Sequence, residues 1–291
     1  MQTQPGILAS VPALARYQFY SLINDCDYPD ALNKLCQQAD GESIVIGLGQ
    51  PLIQALQTDL EGLHSFPTYF SDGVSVPSTP MALWVWYRGT DRGTLLHLSR
   101  ALEHAVAPAF QLEKTIDAFK YGPSLDLTGY EDGTENPEGD EAVDAGIVSG
   151  KGAGMDGSSY LAVQQWVHDL DHFEAMPTQQ QDDAIGRRKS DNEELDDAPE
   201  SAHVKRTAQE SFNPEAFILR RSMPWADDKQ AGLVFTAFGH SLDAFEALLK
   251  RMVGEEDGTV DALFSFTQPV SGAYFWCPPM KDNRLDLSAI K

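Results

Sequence analysis

Short segments that alternate apolar with polar or small side chains, or are apolar throughout, recur along the chain. Because successive side chains of a strand point to opposite faces of a sheet, these segments predict strands. The predicted strands are Arg16–Leu22, Ser43–Leu48 and Ala82–Arg88 in the first half of the chain, and Ser159–Val167 and Leu233–Phe238 in the second half.

Helical spacing of apolar residues follows several of these strands. It predicts helices over Tyr28–Ala39 and Thr94–Val106, and a third helix that begins at Ser241, where the serine is expected to be the cap. The apolar faces of the second and third helices consist of Leu95, Leu98, Leu102 and Ala105, and of Phe245, Leu248, Leu249 and Met252, respectively.

The strand–turn–helix order occurs twice. The strands at Leu83 and Leu233 lie 150 residues apart, and each is followed by a turn and a helix. This repetition predicts an α+β protein of two ferredoxin-like halves, residues 1–135 and 136–291, each an antiparallel sheet covered by helices on one face. A chance similarity between two ordinary strand–helix pairs is the alternative.

Two polar segments lack any regular period. Gly122–Gly157 is rich in Gly, Asp, Glu and Pro, and loops of that length in a compact chain are usually functional or linkers. Thr178–Pro199 carries Arg187 and then an acidic run, which is expected to be a solvated loop.

Composition narrows the function classes. Lys and Arg total 21 against 44 Asp and Glu, and the net charge of −23 disfavours a nucleic-acid or membrane-surface role. The 42% of hydrophobic residues can fill a large core. Cys26, Cys36 and Cys277 show no C-x-x-C spacing, so neither a disulfide framework nor a structural zinc site is predicted. The first 22 residues lack a signal-like or membrane-spanning run, which predicts a cytoplasmic protein.

The histidines give no clear metal motif. His168 and His172 are four residues apart, but no H-E-x-x-H pattern surrounds them and a predicted strand precedes them, so zinc is not favoured. His203 is ambiguous when taken alone. The remaining histidines, His64, His97, His104 and His240, are expected at the surface or in caps.

A stronger signal is the string Gly129-Tyr130-Glu131-Asp132-Gly133-Thr134-Glu135-Asn136-Pro137. Its two glycines bracket Asp132, so the backbone can approach a ligand while the carboxylate projects towards it. A plain Asp-Gly turn is the alternative interpretation.

This string resembles the G-x-x-D-G signature of the dye-decolorizing peroxidases, which are heme enzymes. Further blocks resemble the same family in their order and spacing. Because the sequence shows no twin-arginine leader, it is similar to the family's cytoplasmic B-type subfamily. These blocks are Ser159–Trp166, Ile185–Arg187, His203–Arg206, Ile218–Pro224 and Phe264–Gly272.

The resemblance implies a heme b cofactor in the second half of the chain, with His203 as the proximal ligand of the iron. A neutral imidazole nitrogen can hold the iron and leave its other side open to peroxide. Asp261 is then expected to accept the other ring proton of His203. The alternative role of Asp261 is that of a helix cap.

On the distal side the resemblance implies Asp132, Arg220 and Ser222 as catalytic residues. Asp132 would move a proton between the peroxide oxygens, and Arg220 would lower the pKa of Asp132 and stabilise developing negative charge. Arg221 competes with Arg220, but neighbours in a strand face opposite sides, so only one can line the pocket. An ordinary surface charge is the alternative for either arginine.

Three further residues are assigned to heme binding through the resemblance. Gly133 belongs to the signature, Arg187 is expected to meet a heme propionate, and Phe235 is expected to pack on the distal face. Pairing with the neighbouring acidic run is the alternative for Arg187, and core packing is the alternative for Phe235.

The implied activity is reduction of hydrogen peroxide coupled to one-electron oxidation of organic donors such as dyes and phenols. Tyr274 and Trp276 are candidate electron relays, with core packing as the alternative. A heme-binding or heme-handling protein without turnover is the main rival function, and a cofactor-free scaffold is a third. The resemblance also implies a homo-oligomer, while the donor and any encapsulating shell stay open.

Overall fold

Strands and helices alternate along the chain in two similar runs. The computed structural model describes residues 2–24, 26–71 and 73–290. The strands are β1 (Leu14–Leu22), β2 (Ile44–Gly49), β3 (Tyr69–Ser71), β4 (Val74–Val76), β5 (Leu83–Gly89), β6 (Phe110–Phe119), β7 (Ser159–His168), β8 (Leu219–Arg220), β9 (Met223–Ala226), β10 (Ala231–Gly239), β11 (Thr267–Pro269), β12 (Ala273–Cys277), β13 (Met280–Lys281) and β14 (Arg284–Leu285). The helices are α1 (Pro5–Leu8), α2 (Tyr28–Gln38), α3 (Gln50–Ala55), α4 (Arg92–Val106), α5 (Gly139–Gly146), α6 (Leu170–Ala175), α7 (Thr178–Ile185), α8 (His203–Arg206) and α9 (Asp243–Met252).

The main sheet closes into a barrel. Its strands follow the order β7-β12-β2-β5-β1-β6-β9-β10, and β10 pairs again with β7. Each of these pairings is antiparallel. The order is β6-β1-β5-β2 in the first half and β12-β7-β10-β9 in the second, which is the ferredoxin-like order in both cases. The predicted α+β fold of two ferredoxin-like halves is therefore confirmed, whereas the boundary after residue 135 stays a prediction.

Strand β5 shows how the barrel separates two cores. Trp84 and Trp86 point into the barrel, and Leu83, Val85 and Tyr87 point outwards under the helices. Both faces are covered, so every side chain from Leu83 to Tyr87 is 0% exposed. This double burial explains why the segment contains almost no polar residue.

The predicted strands and helices are present with small shifts. Helix α4 begins at Arg92, two residues before the predicted start, because the Asp91 side chain accepts a hydrogen bond from the Thr94 amide. The prediction that Ser241 caps the third helix is wrong by one position. The N-cap of α9 is Leu242, and Ser241 Oγ accepts from the Asp243 amide at 3.3 Å.

Two helices lie where the sequence predicts only loops. Helix α5 interrupts the segment Gly122–Gly157, and α7 occupies the first part of Thr178–Pro199. Each has eight residues and few buried side chains, so neither produces an apolar stripe long enough to recognise. Across the described part of the chain, no helix combines the length and the apolar character needed to span a membrane.

Gly232 on β10 lies where β10 and β7 pair to close the barrel, and it packs tightly against β7. It pairs with Val167 on β7, and a Cβ atom at this position would lie 2.9 Å from the Trp166 carbonyl carbon and overlap the carbonyl oxygen. We expect Gly232→Ala to lower the free energy of unfolding by about 1–3 kcal/mol, because the obstruction is backbone that cannot turn away.

Urea unfolding measures this change, and Gly93→Ala is the matched control. The Gly93 position in α4 meets only the Asp91 side chain, at 3.3 Å, so stability should change by less than about 1 kcal/mol. Equal effects of the two substitutions would show that β7 and β10 can separate without cost.

Candidate active site

A deep cavity lies against the outer face of the β7–β10 pair. We call it the His203 cavity. Gln164 and Trp166 of β7 and Phe235 of β10 form one wall. The opposite apolar wall comes from α9, and the polar loop that contains Asp132 closes the remaining side. The α9 side chains in the wall are Phe245, Leu248, Leu249 and Met252.

His203 is the first residue of α8, and a buried carboxylate fixes its orientation. Its Nδ1 lies 2.8 Å from Asp261 Oδ2, and the Asp261 side chain is 0% exposed. Asp261 Oδ1 accepts from the Leu263 amide at 2.9 Å, so the aspartate caps the following 3-10 turn as well. Nδ1 donates its proton to Asp261, and among the described residues no hydrogen bond occupies Nε2. His203 can therefore offer the Nε2 lone pair to a metal.

An ion pair between the buried Arg206 and the half-exposed Asp257 holds α8 in place. Arg206 Nη1 and Nη2 donate to the two carboxylate oxygens of Asp257, both at 2.8 Å, and Nη2 also donates to the Arg251 carbonyl. The bonds from Arg206 lower the pKa of Asp257 to about 2. This contact fixes the helix that carries His203 to the segment after α9.

Asp132 and Arg220 meet at the edge of the same cavity. Arg220 Nη1 lies 3.6 Å from Asp132 Oδ1, and the two side chains are 19% and 24% exposed, respectively. Burial raises the pKa of Asp132 and outweighs the lowering effect of the positive charge on Arg220. Arg220 thus lowers the pKa of Asp132, as the sequence predicts, but desolvation is the larger effect and leaves the pKa above its ordinary value.

Arg221 faces away from Asp132. Its guanidinium donates to the carbonyl oxygens of Ile7 and Leu8 at 3.1 and 2.8 Å, which ties α1 to the barrel. Burial lowers the pKa of Arg221 to about 10. The structure thus places Arg220, and not its neighbour, beside the carboxylate, as the alternation of strand side chains predicts.

The two glycines that bracket Asp132 are required for different reasons. Both have a positive φ, +86° for Gly129 and +84° for Gly133. A Cβ atom on Gly129 would lie 2.7 Å from Lys189 Cε, so this glycine also allows close packing. Gly133 has room for a Cβ and is needed for its backbone conformation alone.

Asp126 and His168 form a buried pair that the spacing of residues did not reveal. Asp126 Oδ2 lies 3.0 Å from His168 Nε2, while Oδ1 accepts from the amide and hydroxyl of Thr128. The other ring nitrogen of His168 lies 2.6 Å from Thr267 Oγ1, and the His168 side chain is 5% exposed. This pair ties the Asp132 loop to β7.

His168 and His172, which are four residues apart in the sequence, lie on different elements. His172 lies on α6, beyond the end of the strand that carries His168. Within residues 2–24, 26–71 and 73–290, no group of three or more His, Cys, Asp or Glu side chains could hold a metal ion. Asp126 and His168 lie 42 residues apart, so no local pattern in the sequence could have found the pair.

The remaining predicted site residues are divided between the cavity and its surroundings. Phe235 lines the His203 cavity and packs on Phe245, with ring centroids 6.0 Å apart. Arg187 also lines it, but Arg187 Nη2 donates at 3.4 Å to Glu194, a member of the acidic run expected as the alternative partner. The same nitrogen donates at 2.7 Å to Glu135, which lies outside that run. Contact of Arg187 with a propionate stays a prediction.

Ser222 lies outside the His203 cavity. Its hydroxyl accepts from the Thr236 amide at 3.3 Å, and it lines a second cavity, which we call the Ser222 cavity. Asp132, Gly133 and Arg220 line both cavities. The Asp132–Arg220 pair therefore stands at the partition between the two spaces.

Replacement of Asp132 or Asp126 by asparagine should change the free energy of unfolding in opposite directions. The pKa of Asp132 is raised in the folded chain, so its ionisation costs stability as the pH rises through that pKa. We expect Asp132→Asn to raise the free energy of unfolding at pH 7. The gain should shrink as the pH falls through the raised pKa and vanish below about 3.9, where the acid becomes protonated in both states.

Asp126→Asn is the matched control for this measurement. Burial raises the pKa of Asp126, but the bonds from His168 and Thr128 outweigh it, and the pKa is lowered. The ionised form therefore stabilises the fold, so Asp126→Asn should be less stable than the wild-type protein at pH 7. This difference should become smaller as the pH falls. Thermal unfolding at pH 7 and pH 4 measures both variants, and shifts of the same sign would contradict the assignment.

Comparison with known proteins adds the identity of the fold and the site. Residues 124–282, more than half of the chain, match the family model described as "Dyp-type peroxidase, C-terminal". A dye-decolorizing peroxidase of Rhodococcus erythropolis is 30% identical over 251 residues, which cover 82% of this chain and 73% of the relative. One from Brevibacterium linens is 30% identical over 75% of this chain and 61% of its own length.

Solved structures agree with these matches. The dye-decolorizing protein from V. cholerae superposes with a TM-score of 0.84 at 25% identity, covering 94% of this chain and 96% of that chain. A variant of DypB from Rhodococcus jostii in complex with heme gives a TM-score of 0.83 at 26% identity, with coverages of 94% and 95%. The chain therefore belongs to the dye-decolorizing peroxidase family and is a peroxidase whose cofactor is heme.

Proposed function

We propose that heme binds in the His203 cavity and that Asp132 and Arg220 activate hydrogen peroxide there. The observation that carries this proposal is that one cavity contains a histidine with a free Nε2 and a buried acid–guanidinium pair. A protein that only stores or transports heme needs no such pair, so the heme-handling alternative is not favoured.

The residues of the cavity fit a heme. His203 Nε2 would bind the heme iron, and the apolar side chains of α9 and Phe235 would pack against the porphyrin. Two nitrogens in the cavity wall, Gln164 Nε2 and Trp166 Nε1, are buried without a partner among the described residues. Such donors suit an occupant that brings its own acceptors, as the heme propionates do.

The two distal side chains divide the chemistry of peroxide cleavage. When bound, heme would supply the redox-active iron at which peroxide is reduced. Asp132 takes the proton from the inner peroxide oxygen and delivers it to the outer one, so that water leaves instead of hydroxide. Arg220 stabilises the negative charge that develops on the outer oxygen. Both functions need side chains that stay in place, and their mutual contact provides this.

The raised pKa of Asp132 suits a group that must both accept and release a proton. A carboxylate with an ordinary pKa would hold a proton too weakly to deliver it at neutral pH. Burial raises the affinity for that proton, and Arg220 limits the rise so that the ionised form is still accessible.

The Ser222 cavity is the proposed route for peroxide. It meets the His203 cavity at the Asp132–Arg220 pair, so a molecule that enters there reaches both side chains first. Dyes and phenols are much larger than peroxide. We infer that such donors are oxidised at the surface or at a heme edge and not beside Asp132.

The proposal also includes a homo-oligomeric state and a cytoplasmic location. The resemblance of the sequence to the family supports both. Exposed apolar side chains such as Phe70, which is 80% exposed, are available for contacts between copies.

The distal assignment predicts a large kinetic effect. Arg220→Leu should keep heme but slow the reaction with hydrogen peroxide by about 10²–10³, the usual effect of losing a positioned electrostatic donor. Asp132→Asn should slow it less, because water can replace part of the proton transfer. Stopped-flow mixing with peroxide, followed at the main heme absorption band, measures both rates.

Arg188→Leu is the matched control because it removes the same charge from an exposed arginine that pairs with Asp191. It should react at the wild-type rate. If Arg220→Leu and Asp132→Asn also react at that rate, their role is structural and heme handling becomes the better function.

The proximal assignment predicts a loss of heme. His203→Ala removes a cavity histidine whose Nε2 has no hydrogen bond among the described residues, whereas both ring nitrogens of the other cavity histidine, His168, are engaged. The purified protein should therefore contain little heme or show a spectrum without a histidine ligand. His104→Ala, at an exposed position on α4, is the control and should keep heme. Heme content and the absorption spectrum measure the effect, and unchanged coordination in His203→Ala would move the ligand elsewhere.

A further inference from the structure

A group of aromatic and charged side chains packs behind the apolar wall of the His203 cavity. Phe245 of α9 lines the cavity, and its ring meets Tyr274 of β12 edge to face, with centroids 5.8 Å apart. Phe66 completes the stack at 4.7 Å from Tyr274 and 5.9 Å from Phe245. Tyr274 is thus one ring away from the space assigned to heme.

Tyr274 combines burial with a hydrogen-bonded carboxylate. It is 3% exposed, and its hydroxyl donates to Glu246 Oε1 at 3.3 Å. Burial, together with the negative charge of Glu246, raises the pKa of Tyr274 above that of an ordinary tyrosine. The phenol therefore keeps its proton unless the ring is oxidised, and a base stands ready to receive it when it is.

Glu246 connects Tyr274 to the protein surface. His64 Nε2 lies 3.3 Å from the same Glu246 oxygen, and the His64 ring meets the Tyr274 ring edge to face at 5.3 Å. The His64 side chain is 48% exposed. Lys250 holds the other carboxylate oxygen of Glu246 at 3.6 Å. An aromatic path thus runs from Phe245 through Tyr274 to a half-exposed imidazole.

We propose that Tyr274 is a redox relay that carries single electrons from donors at the His64 surface to the heme site, with Glu246 as its proton acceptor. This inference rests on the proposed peroxidase function. It names a residue that the distal chemistry does not use, and it answers how a bulky donor can be oxidised without entering the cavity.

The steps balance in electrons and protons. Tyr274 gives one electron to the heme site that peroxide has oxidised, and its O–H proton passes to Glu246 Oε1. The products are a neutral tyrosyl radical and a glutamic acid. An organic donor at the surface then returns one electron to the radical, the proton moves back from Glu246 to the phenolic oxygen, and the donor leaves oxidised by one electron.

Tyr130 also donates to a carboxylate, that of Asp182, but among the described residues its ring packs on the buried Phe173 and on no half-exposed ring. Three other buried aromatic residues lack such an acceptor. The hydroxyls of Tyr69 and Tyr17 and the indole Nε1 of Trp276 are buried without a hydrogen-bond partner among the described residues. Oxidation of any of them would leave a proton with nowhere to go, which is costly in an apolar interior. Of the two relays suggested by the sequence, Tyr274 and Trp276, the geometry therefore points to Tyr274.

The test is freeze-quench electron paramagnetic resonance of the heme-loaded protein mixed with hydrogen peroxide in the absence of donor. We expect a tyrosyl radical signal that is narrowed by ring-deuterated tyrosine and is lost in Tyr274→Phe. Glu246→Gln should also lose it, because an amide can accept the hydrogen bond but not the proton. Tyr69→Phe, which deletes a nearby buried phenol without an acceptor, should keep the signal.

Each result decides the proposal. Survival of the signal in Tyr274→Phe, or absence of any tyrosyl radical in a wild-type protein that consumes peroxide, overturns the relay. Loss in Tyr274→Phe but not in Glu246→Gln overturns the role of Glu246 as proton acceptor. Stopped-flow measurement of the peroxide reaction in the same samples distinguishes a failure of the relay proposal from a failure of the proposed peroxidase function. Tyr274→Phe should react with peroxide at the wild-type rate, whereas a wild-type protein inert to peroxide would refute both proposals.

Discussion

The antiparallel ladder between β7 and β10 is the contact on which both the barrel and the cavity depend. It closes the ring of strands, and its register pairs Phe235 with Gln164 and Leu233 with Trp166. All four side chains line the His203 cavity, while the alternate residues fill the interior of the barrel. A shift of one residue would turn the cavity wall into the barrel core, so packing on both faces fixes the geometry of the site.

The position of the Asp132 carboxylate lowers the stability of the folded protein when Asp132 is ionised. Asp132 is held where burial opposes its ionisation, and Arg220 offsets only part of that penalty. Asp126, six residues earlier, is stabilised as an anion by His168 and Thr128, and its charge raises the pKa of Asp132 further. One carboxylate therefore anchors the loop, and the other is kept in an unfavourable state that suits proton transfer.

Sequence patterns predicted those features that depend on local periodicity. Strand β5 and helix α4 repeat their apolar positions at the spacing of the element, and both are present close to the predicted bounds. Helices α5 and α7 were missed because they are short and bury few side chains. The contact of His203 with Asp261, which are 58 residues apart, could be proposed only from a family resemblance. The Asp126–His168 pair belongs to none of the sequence motifs described above, so it could not be predicted from the sequence.

With the proposed roles, the arrangement of the cavity separates proton chemistry from electron transfer. The side that contains Asp132 and Arg220 is a polar loop next to a second cavity, where water and peroxide can exchange protons. The side that contains Phe245 and Tyr274 is packed with rings. In the proposed relay, this packing keeps donors at the His64 surface. Because a small oxidant and a bulky donor then approach from different directions, neither has to leave before the other can react. A single open pocket could not provide this, since a bound donor would cover the carboxylate that peroxide needs.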